Sequence, residues 1–390
     1  MLRNPINFGE PGSQVRRNRT RLVLVGGFVV AAAFFFGLKA GSGPGDAPAY
    51  EPVSLVSKVP KDLSPRMLAG QRFVAGFNGT SVPKAIRKAI ASGRLGGVIL
   101  FADNLPNRSV ARSLTRQIHR VKRPDGLRRY PLPIMIDQEG GLVKRLAGAP
   151  TVSAEVMGSR GPGFSKKQGR LTGLNLKNAG INVNLAPVLD VARPGGNIAS
   201  DDCAFGSTVK SVSRTAIPFA RAMQASGVAA TAKHFPGLGD VSLNTDDAVQ
   251  RVNLSRAALR KVDQAPYRPF IKSGGELVMV GTAIYPAYSG RPAAFTKNIV
   301  TGELRRRLGF GGVTITDSLE TVASRAFGAS PRVSLAAAKA GMDMLLFATL
   351  GEAMKGENAV ADQLRRGKLD RRDFRRSVGR ILKMRGGLPG

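Results

Sequence analysis

Between Arg72 and Ala348 the chain repeats one pattern: a short apolar run, a turn-rich loop, then a stretch with helical spacing. The runs are "RFVAGF" (72–77), "GGVILFA" (96–102), "LPIMID" (132–137), "INVNLAPVLDV" (181–191), "VAATAKHF" (228–235), "LVMVGTAIY" (277–285), "VTITDS" (313–318) and "MDMLLFA" (342–348). Continuous apolar runs of this length suit strands buried on both faces, as in a parallel sheet. Helices are predicted between them in "VPKAIRKAIASG", "VARSLTRQIHRVK", "SVSRTAIPFARAMQASG", "LSRAALRKVDQAPYRPFIKSG" and "VSLAAAKAG", and two more follow the eighth run. Strands alternating with helices in this way predict an α/β fold, a (β/α)8 TIM-like barrel. An open doubly wound sheet would need a Gly-rich phosphate or dinucleotide loop after its first strand, and the sequence has none there.

Polar residues sharpen the expectation. Asp137, Asp190, Lys233-His234 and Asp317 all fall at the C-terminal ends of their runs, on the barrel face that carries active sites. In "IDQEGGLVKRL", Asp137 and Glu139 precede a Gly pair that allows close backbone approach, with Lys144 and Arg145 just beyond; a turn with an ion pair fits the same residues. Asp317-Ser318-Leu319-Glu320 leaves a strand for a predicted helix and also fits an N-terminal capping box. "KHFPGLGDVSLNTDD" (233–247) holds one of only two histidines and a loop crowded with oxygen-bearing side chains. Carboxylates and donors gathered on one face suit recognition of a polyol.

The N-terminus and the charge add location and partners. "VRRNRTR" precedes seventeen uncharged, mostly apolar residues, Leu22 to Leu38, near the lower limit for a helix that spans a bilayer. The preceding arginines favour a cytoplasmic N-terminus with the rest of the chain outside. "DAPA" offers a cleavage site if the segment is instead a removed signal. The expected organisation is a basic N-terminus (1–21), an anchor or signal (22–38), a Gly/Pro-rich linker (39–52) and one catalytic barrel (53–390). Lys and Arg number 59 against 26 Asp and Glu, a net charge of +33, which attracts polyanions such as acidic wall polymers or anionic lipid. Basic clusters include "RRRLGF" and "RRGKLDRRDFRR". Nucleic acid is not the expected partner, since aromatic residues make up 6% and Trp is absent, leaving few stacking platforms. A single cysteine, Cys203, excludes an intrachain disulfide. With only His119 and His234 present and no ligand spacing, neither a metal nor a cofactor is expected.

In order along the chain, "GQRFVAGFNGTSVP", "GGVILFADN", "IDQEGG", "GINVNLAPVLDV", "AKHFPGLGD", "LGFGGVTITDSLE" and "AGMDMLLF" resemble glycoside hydrolase family 3, particularly its single-domain β-N-acetylhexosaminidases. The resemblance implies a monomeric barrel that hydrolyses β-linked sugars with retention. It implies Asp317 as nucleophile and Asp137, Arg145, Lys233 and His234 as sugar-binding residues. The family's acid/base is a histidine in an Asp, Ser-or-Thr, His triplet, and here that triplet reads Asn244-Thr245-Asp246. Asp246 is therefore the expected acid/base, with Asp247 and Asp240 as neighbouring alternatives. Leu238, Cys203 and Leu142 stand where the family has a second histidine and two arginines. A sugar-binding homologue without an efficient acid/base is the other reading of the same departures. An aspartic acid with an ordinary pKa near 3.9 is a poor proton donor at neutral pH, so Asp246 needs burial or a neighbouring carboxylate to serve.

Overall fold

The computed structural model describes Val56 and residues 59–390, and within them every one of the eight apolar runs supplies a strand. These are β1 (Phe73–Ala75), β2 (Gly97–Leu100), β3 (Ile134–Ile136), β6 (Val183–Asn184), β7 (Ala229–Phe235), β8 (Leu277–Val280), β9 (Val313–Thr316) and β10 (Leu345–Phe347). β4 (Gln138–Gly140) and β5 (Val143–Lys144) form a separate antiparallel hairpin just beyond β3. The eight strands pair in parallel in the order β10-β1-β2-β3-β6-β7-β8-β9. An Ile315–Met344 bridge joins β9 to β10 and brings the ring nearly to closure. The expected barrel is present. The predicted membrane helix Leu22–Leu38, the basic stretch before it and the linker lie outside the described residues. Among the described residues no helix is long and apolar enough to cross a membrane.

Strand periodicity divides the apolar side chains between two cores. Val74, Ile99, Met135, Val183, Leu277, Met279, Val313, Ile315 and Leu346 fill the barrel interior. Their immediate neighbours, including Phe73, Leu100, Ile136, Val278, Val280 and Phe347, pack outward against the helices. Alternation within uniformly apolar runs is what a strand covered on both faces requires. The C-terminal helix Arg371–Gly386 contributes Ile381 to the inner core, and Leu388 joins it, so this end of the chain plugs the bottom of the barrel.

Two helical features differ from the periodicity. "LSRAALRKVDQAPYRPFIKSG" breaks into Arg256–Lys261 and Tyr267–Lys272. Asp263 in the gap turns inward to pair with both terminal nitrogens of Arg193 at 2.8 and 2.9 Å, and Pro266 has no N–H to continue a helix. Pro162–Asn178 is a long helix that the sequence pattern does not reveal. Glycines weaken its helical signal, but Gly169 lies so close to the helix Val209–Ala225 that a Cβ would overlap the Phe219 carbonyl oxygen.

At the N-terminal ends of β1, β9 and β10 a fully buried carboxylate, Asp343, gathers three arginines. Arg380 donates to it at 2.6 Å, Arg305 also pairs with it, and the Thr314 amide donates at 3.0 Å. Arg72 donates to the Asp343 carbonyl oxygen at 3.1 Å. Burial alone would raise this carboxyl's pKa; Arg380 and Arg305 override it and hold the group far below its usual range. The stabilisation is thus present above the unfolded-state pKa of about 4 and is lost as pH falls below it. Asp343→Ala should cost about 3–5 kcal/mol by urea unfolding at pH 7, with a smaller penalty at acid pH; equal penalties at both would refute the assignment.

Candidate active site

β3, β7 and β9 deliver their terminal polar residues to one cleft of about 420 Å³ at the C-terminal face of the barrel. Lys233 near the end of β7 is buried, and its Nζ donates to Asp137 Oδ1 at 2.8 Å and Glu139 Oε1 at 2.7 Å. Burial alone would lower the ammonium's pKa, but Asp137 and then Glu139 more than reverse that and keep it charged. Asp190, fully buried, accepts from the backbone N–H of His234 at 3.2 Å and of Leu238 at 2.7 Å. It also holds His234 Nδ1 at 2.8 Å. That contact makes Nδ1 the protonated nitrogen and leaves Nε2 as the ring's other polar atom. Burial opposes charging of His234; the hydrogen bond and charge of Asp190, then the charge of Asp317, win and raise its pKa above the ordinary value.

The hairpin is fixed from inside. Gln138 is buried, donates to the carbonyls of Leu146 and Ala149, and accepts from the amides of Arg145 and Leu146. This orients Arg145, whose Nε is buried without a protein hydrogen bond beside the cleft. Asp317 follows β9 and is tied to β8 by its amide, which donates to Val280 O at 3.0 Å. One of its carboxylate oxygens accepts the Ser318 amide at 2.8 Å. The capping box does not form. The next helix, Val322–Arg325, is capped by Thr321, and Glu320 instead accepts from the amide and hydroxyl of Thr349. Asp317 is thereby left to the cleft.

The loop after β7 closes the opposite wall. Its Pro-Gly-x-Gly turn requires close approach, since a Cβ on Gly239 would overlap the Val191 carbonyl oxygen. Asn244 accepts the Asp246 amide at 2.9 Å in a local turn. The carbonyls of Thr245 and Asp246 accept the amides of Ala323 and Val322, at 3.3 and 3.1 Å, which seam the loop to the segment following Asp317. Asp246 lines the cleft at its mouth, exposed to solvent yet walled on its inner side. That enclosure, then the charge of Asp317, raises its carboxyl to about 6 against the opposing pull of His234. Of the alternatives, Asp240 faces Arg193 at 3.8 Å, and neither it nor Asp247 lines the cleft.

The departures noted in the sequence also lie here. Cys203 lines the cleft, donates to the Asp201 carbonyl at 3.3 Å, and has its thiol pushed well up by burial and by the Glu139 carboxylate. Leu238 lines it as well. Leu142 stands out at the hairpin tip, 73% exposed, and Leu243, Val249 and Val322 on the two facing segments complete the exposed large apolar side chains among the described residues. His119, by contrast, sits on its predicted helix, where its Nε2 donates to Gly180 O at 3.1 Å. No three His, Cys, Asp or Glu side chains among the described residues gather closely enough to hold a metal. Sequence reasoning gave no role to Gln138, and it placed Glu139 and Asp190 on the active-site face without the partners they serve. Their position at strand ends was the available signal; the partner each one serves lies on another strand or loop.

Such a cleft can bind a polyol through paired charges, offer one carboxylate as nucleophile, and offer a second with a raised pKa as proton donor. Residues 66–384 match the model of the glycosyl hydrolase family 3 N terminal domain. An "uncharacterized secreted glycosyl hydrolase" of Arthroderma benhamiae is 36% identical over 80% of this chain and 91% of its own length. A "beta-hexosaminidase" of Alkalilimnicola ehrlichii is 34% identical over 74% of this chain and 83% of its own. Among solved structures, a family 3 β-N-acetylglucosaminidase from Paenibacillus sp. superposes with a TM-score of 0.78 at 32% identity over 83% of this chain. This chain spans 63% of that one, less than two thirds of its length. A β-N-acetylhexosaminidase from Beutenbergia cavernae gives 0.78 at 28% identity, covering 84% of this chain and all of its own.

With only two histidines in the chain, imidazole titration by NMR reads this electrostatics directly. Burial lowers the pKa of His119, so one resonance should titrate below the ordinary value and the other, His234, above it. Asp190→Asn should bring the upper one down and leave the lower unmoved; an unchanged upper titration would refute the role given to Asp190.

Proposed function

The chain belongs to glycosyl hydrolase family 3 and is a β-hexosaminidase-like glycoside hydrolase; from this premise we propose that it cleaves terminal β-linked N-acetylamino sugars with retention, using Asp317 and Asp246. Asp317 attacks the anomeric carbon and forms a glycosyl-enzyme while Asp246 gives its proton to the departing oxygen. Water then opens the intermediate, with Asp246 taking the proton back. Lys233, His234, Asp137 and Arg145 grip the sugar hydroxyls, and Asp190 holds His234 in the donating orientation. The observation that carries this reading is the raised carboxyl of Asp246 across the cleft from Asp317. A second carboxyl raised by its surroundings lets one residue type supply both the acid and the nucleophile. The secreted relative and the apolar segment Leu22–Leu38 support action outside the cytoplasmic membrane, with the chain anchored by that segment or released after cleavage. Amino sugars of the cell wall are the substrates that this location favours.

Because the acid must be protonated, kcat/KM should fall as pH rises through about 6. Asp246→Asn should abolish that limb and slow an unactivated disaccharide by about 10² to 10⁴, while sparing most turnover of a p-nitrophenyl β-N-acetylglucosaminide, whose leaving group needs no proton. Equal losses on both substrates would remove Asp246 from the acid role. Asp317→Asn should abolish turnover of both; residual wild-type turnover would overturn the nucleophile. No turnover of either substrate by folded, sugar-binding wild-type chain would leave a binding protein instead.

A further inference from the structure

The exposed large apolar side chains among the described residues are four, Leu142, Leu243, Val249 and Val322, on a chain whose net charge is +33. Three of them sit beside the catalytic mouth. Leu142 precedes Val143, Leu243 precedes Asn244 and Val322 follows Thr321, and each of those neighbours lines the cleft. They come from segments remote in sequence: the hairpin tip, the acid loop and the segment after Asp317. Exposed apolar residues scattered singly need no explanation, but convergence on one opening does. Val322 is placed most closely: its amide donates to the Asp246 carbonyl oxygen at 3.1 Å, which sets its half-exposed side chain beside the acid. The sugar, held deeper by Lys233, His234 and Asp137, has no use for these side chains.

Their position relative to Asp246 gives them a role. The acid meets the departing oxygen, so whatever that oxygen carries leaves past Asp246 and over the rim. Below, the barrel core closes the cleft, with Met279 and Leu346 among its lining residues, and the leaving group extends outward. We propose that Leu142, Leu243 and Val322 form an aglycone subsite for an aliphatic chain, so that the preferred substrate is an amino sugar β-linked to an alkyl-bearing alcohol; this rests on the glycosidase reading above. A second sugar is the other candidate leaving group, and the rim suits it poorly. All three residues are aliphatic, with neither a ring face for a pyranose to stack on nor a polar group for its hydroxyls. An alkyl chain laid across them removes apolar surface of both partners from water.

The test gives the full chain methyl and octyl β-N-acetylglucosaminides, the latter below its micellar concentration. Methanol and octanol are leaving groups of nearly equal basicity, so the ratio of the two kcat/KM values reads contact with the chain rather than demand for the acid. Wild type should favour the octyl glycoside by at least about tenfold, the gain from roughly two methylenes taken fully out of water. Leu142→Ser/Leu243→Ser/Val322→Ser should bring the ratio to within about twofold of unity. Val249→Ser, a like change at a residue whose neighbours do not line the cleft, should keep the wild-type ratio; an equal fall there would overturn the assignment. Thermal unfolding shows whether each variant is folded, and the three single replacements, each expected to lower the ratio, stand in for a triple that is not. Binding of the uncleavable methyl and octyl thioglycosides separates this proposal from the reading it rests on. Tighter octyl binding that the triple abolishes, with neither glycoside turned over, would keep the subsite and sink the glycosidase. Equal thioglycoside affinities, or turnover of both glycosides at a ratio near one, would overturn the subsite and leave the glycosidase to its own test. A ratio unchanged in the triple would also overturn it, and loss of binding to phosphatidylglycerol vesicles in that same variant would assign the rim to a lipid surface instead.

Discussion

The Lys233 ammonium, clamped between Asp137 and Glu139, is the contact on which the catalytic face depends. It joins the end of β7 to the loop beyond β3 across β6, two segments that share no ladder. Pairs of this kind do little for net stability, because desolvation consumes most of the Coulombic gain, yet removal of one partner strands a buried charge. Their use lies in specifying geometry. With Lys233 fixed, His234 has one available orientation, onto Asp190, and Asp190 then collects the amide of Leu238 at the start of the Pro-Gly-x-Gly turn. The turn sets the course of the loop that carries Asp246. A hierarchy of buried polar contacts thus runs from one ammonium to the residue proposed as the acid.

Much of this was legible in the sequence, and what was not has physical causes. Eight apolar runs became eight strands because a strand covered on both faces cannot hide its signature. The division into two cores was invisible, since Val74 and Phe73 are equally apolar and only the pleat separates them. The helix Pro162–Asn178 escaped notice because its glycines serve close packing at the expense of helical propensity. The break at Asp263 was hidden because its cause, Arg193, lies seventy residues earlier and meets it only in the fold. Asp317 matched a capping box in spacing, and the structure gives its supposed partner, Glu320, to Thr349 instead. Local motifs were readable; the long-range partners that decide between two uses of one motif were not.

The acid loop shows how a site can tolerate loss of a histidine. In the arrangement that the family resemblance implies, a carboxylate polarises an imidazole. Here Asn244 has become a turn residue that accepts its own loop's amide, so nothing remains to orient an imidazole, and the carboxyl at Asp246 works without such support. An aspartate needs only partial enclosure and a like charge to move toward neutrality, and the cleft wall and Asp317 supply both. The substitution exchanges a donor that must be held in one tautomer for one that must be kept protonated. Its cost is a dependence on Asp317: once the nucleophile is consumed in the glycosyl-enzyme its charge disappears, and the Asp246 pKa should drop. That drop is in the useful direction, because the second step needs Asp246 as a base.

Electrostatic balance inside the cleft explains why a net charge of +33 is compatible with this chemistry. Lys233 is matched by Asp137 and Glu139, and His234 by Asp190, so the field at the reacting carbon is set by groups a few ångströms away. Surface cations beyond a Debye length of about 8–10 Å are screened by physiological salt and contribute little there. The barrel separates the two demands by construction. Loops at the C-terminal ends of the strands carry the chemistry, while outer helices and the N-terminal face are free to vary in charge. A chain so built can gain affinity for an anionic surrounding without retuning its acid, provided the added charge stays away from the catalytic mouth.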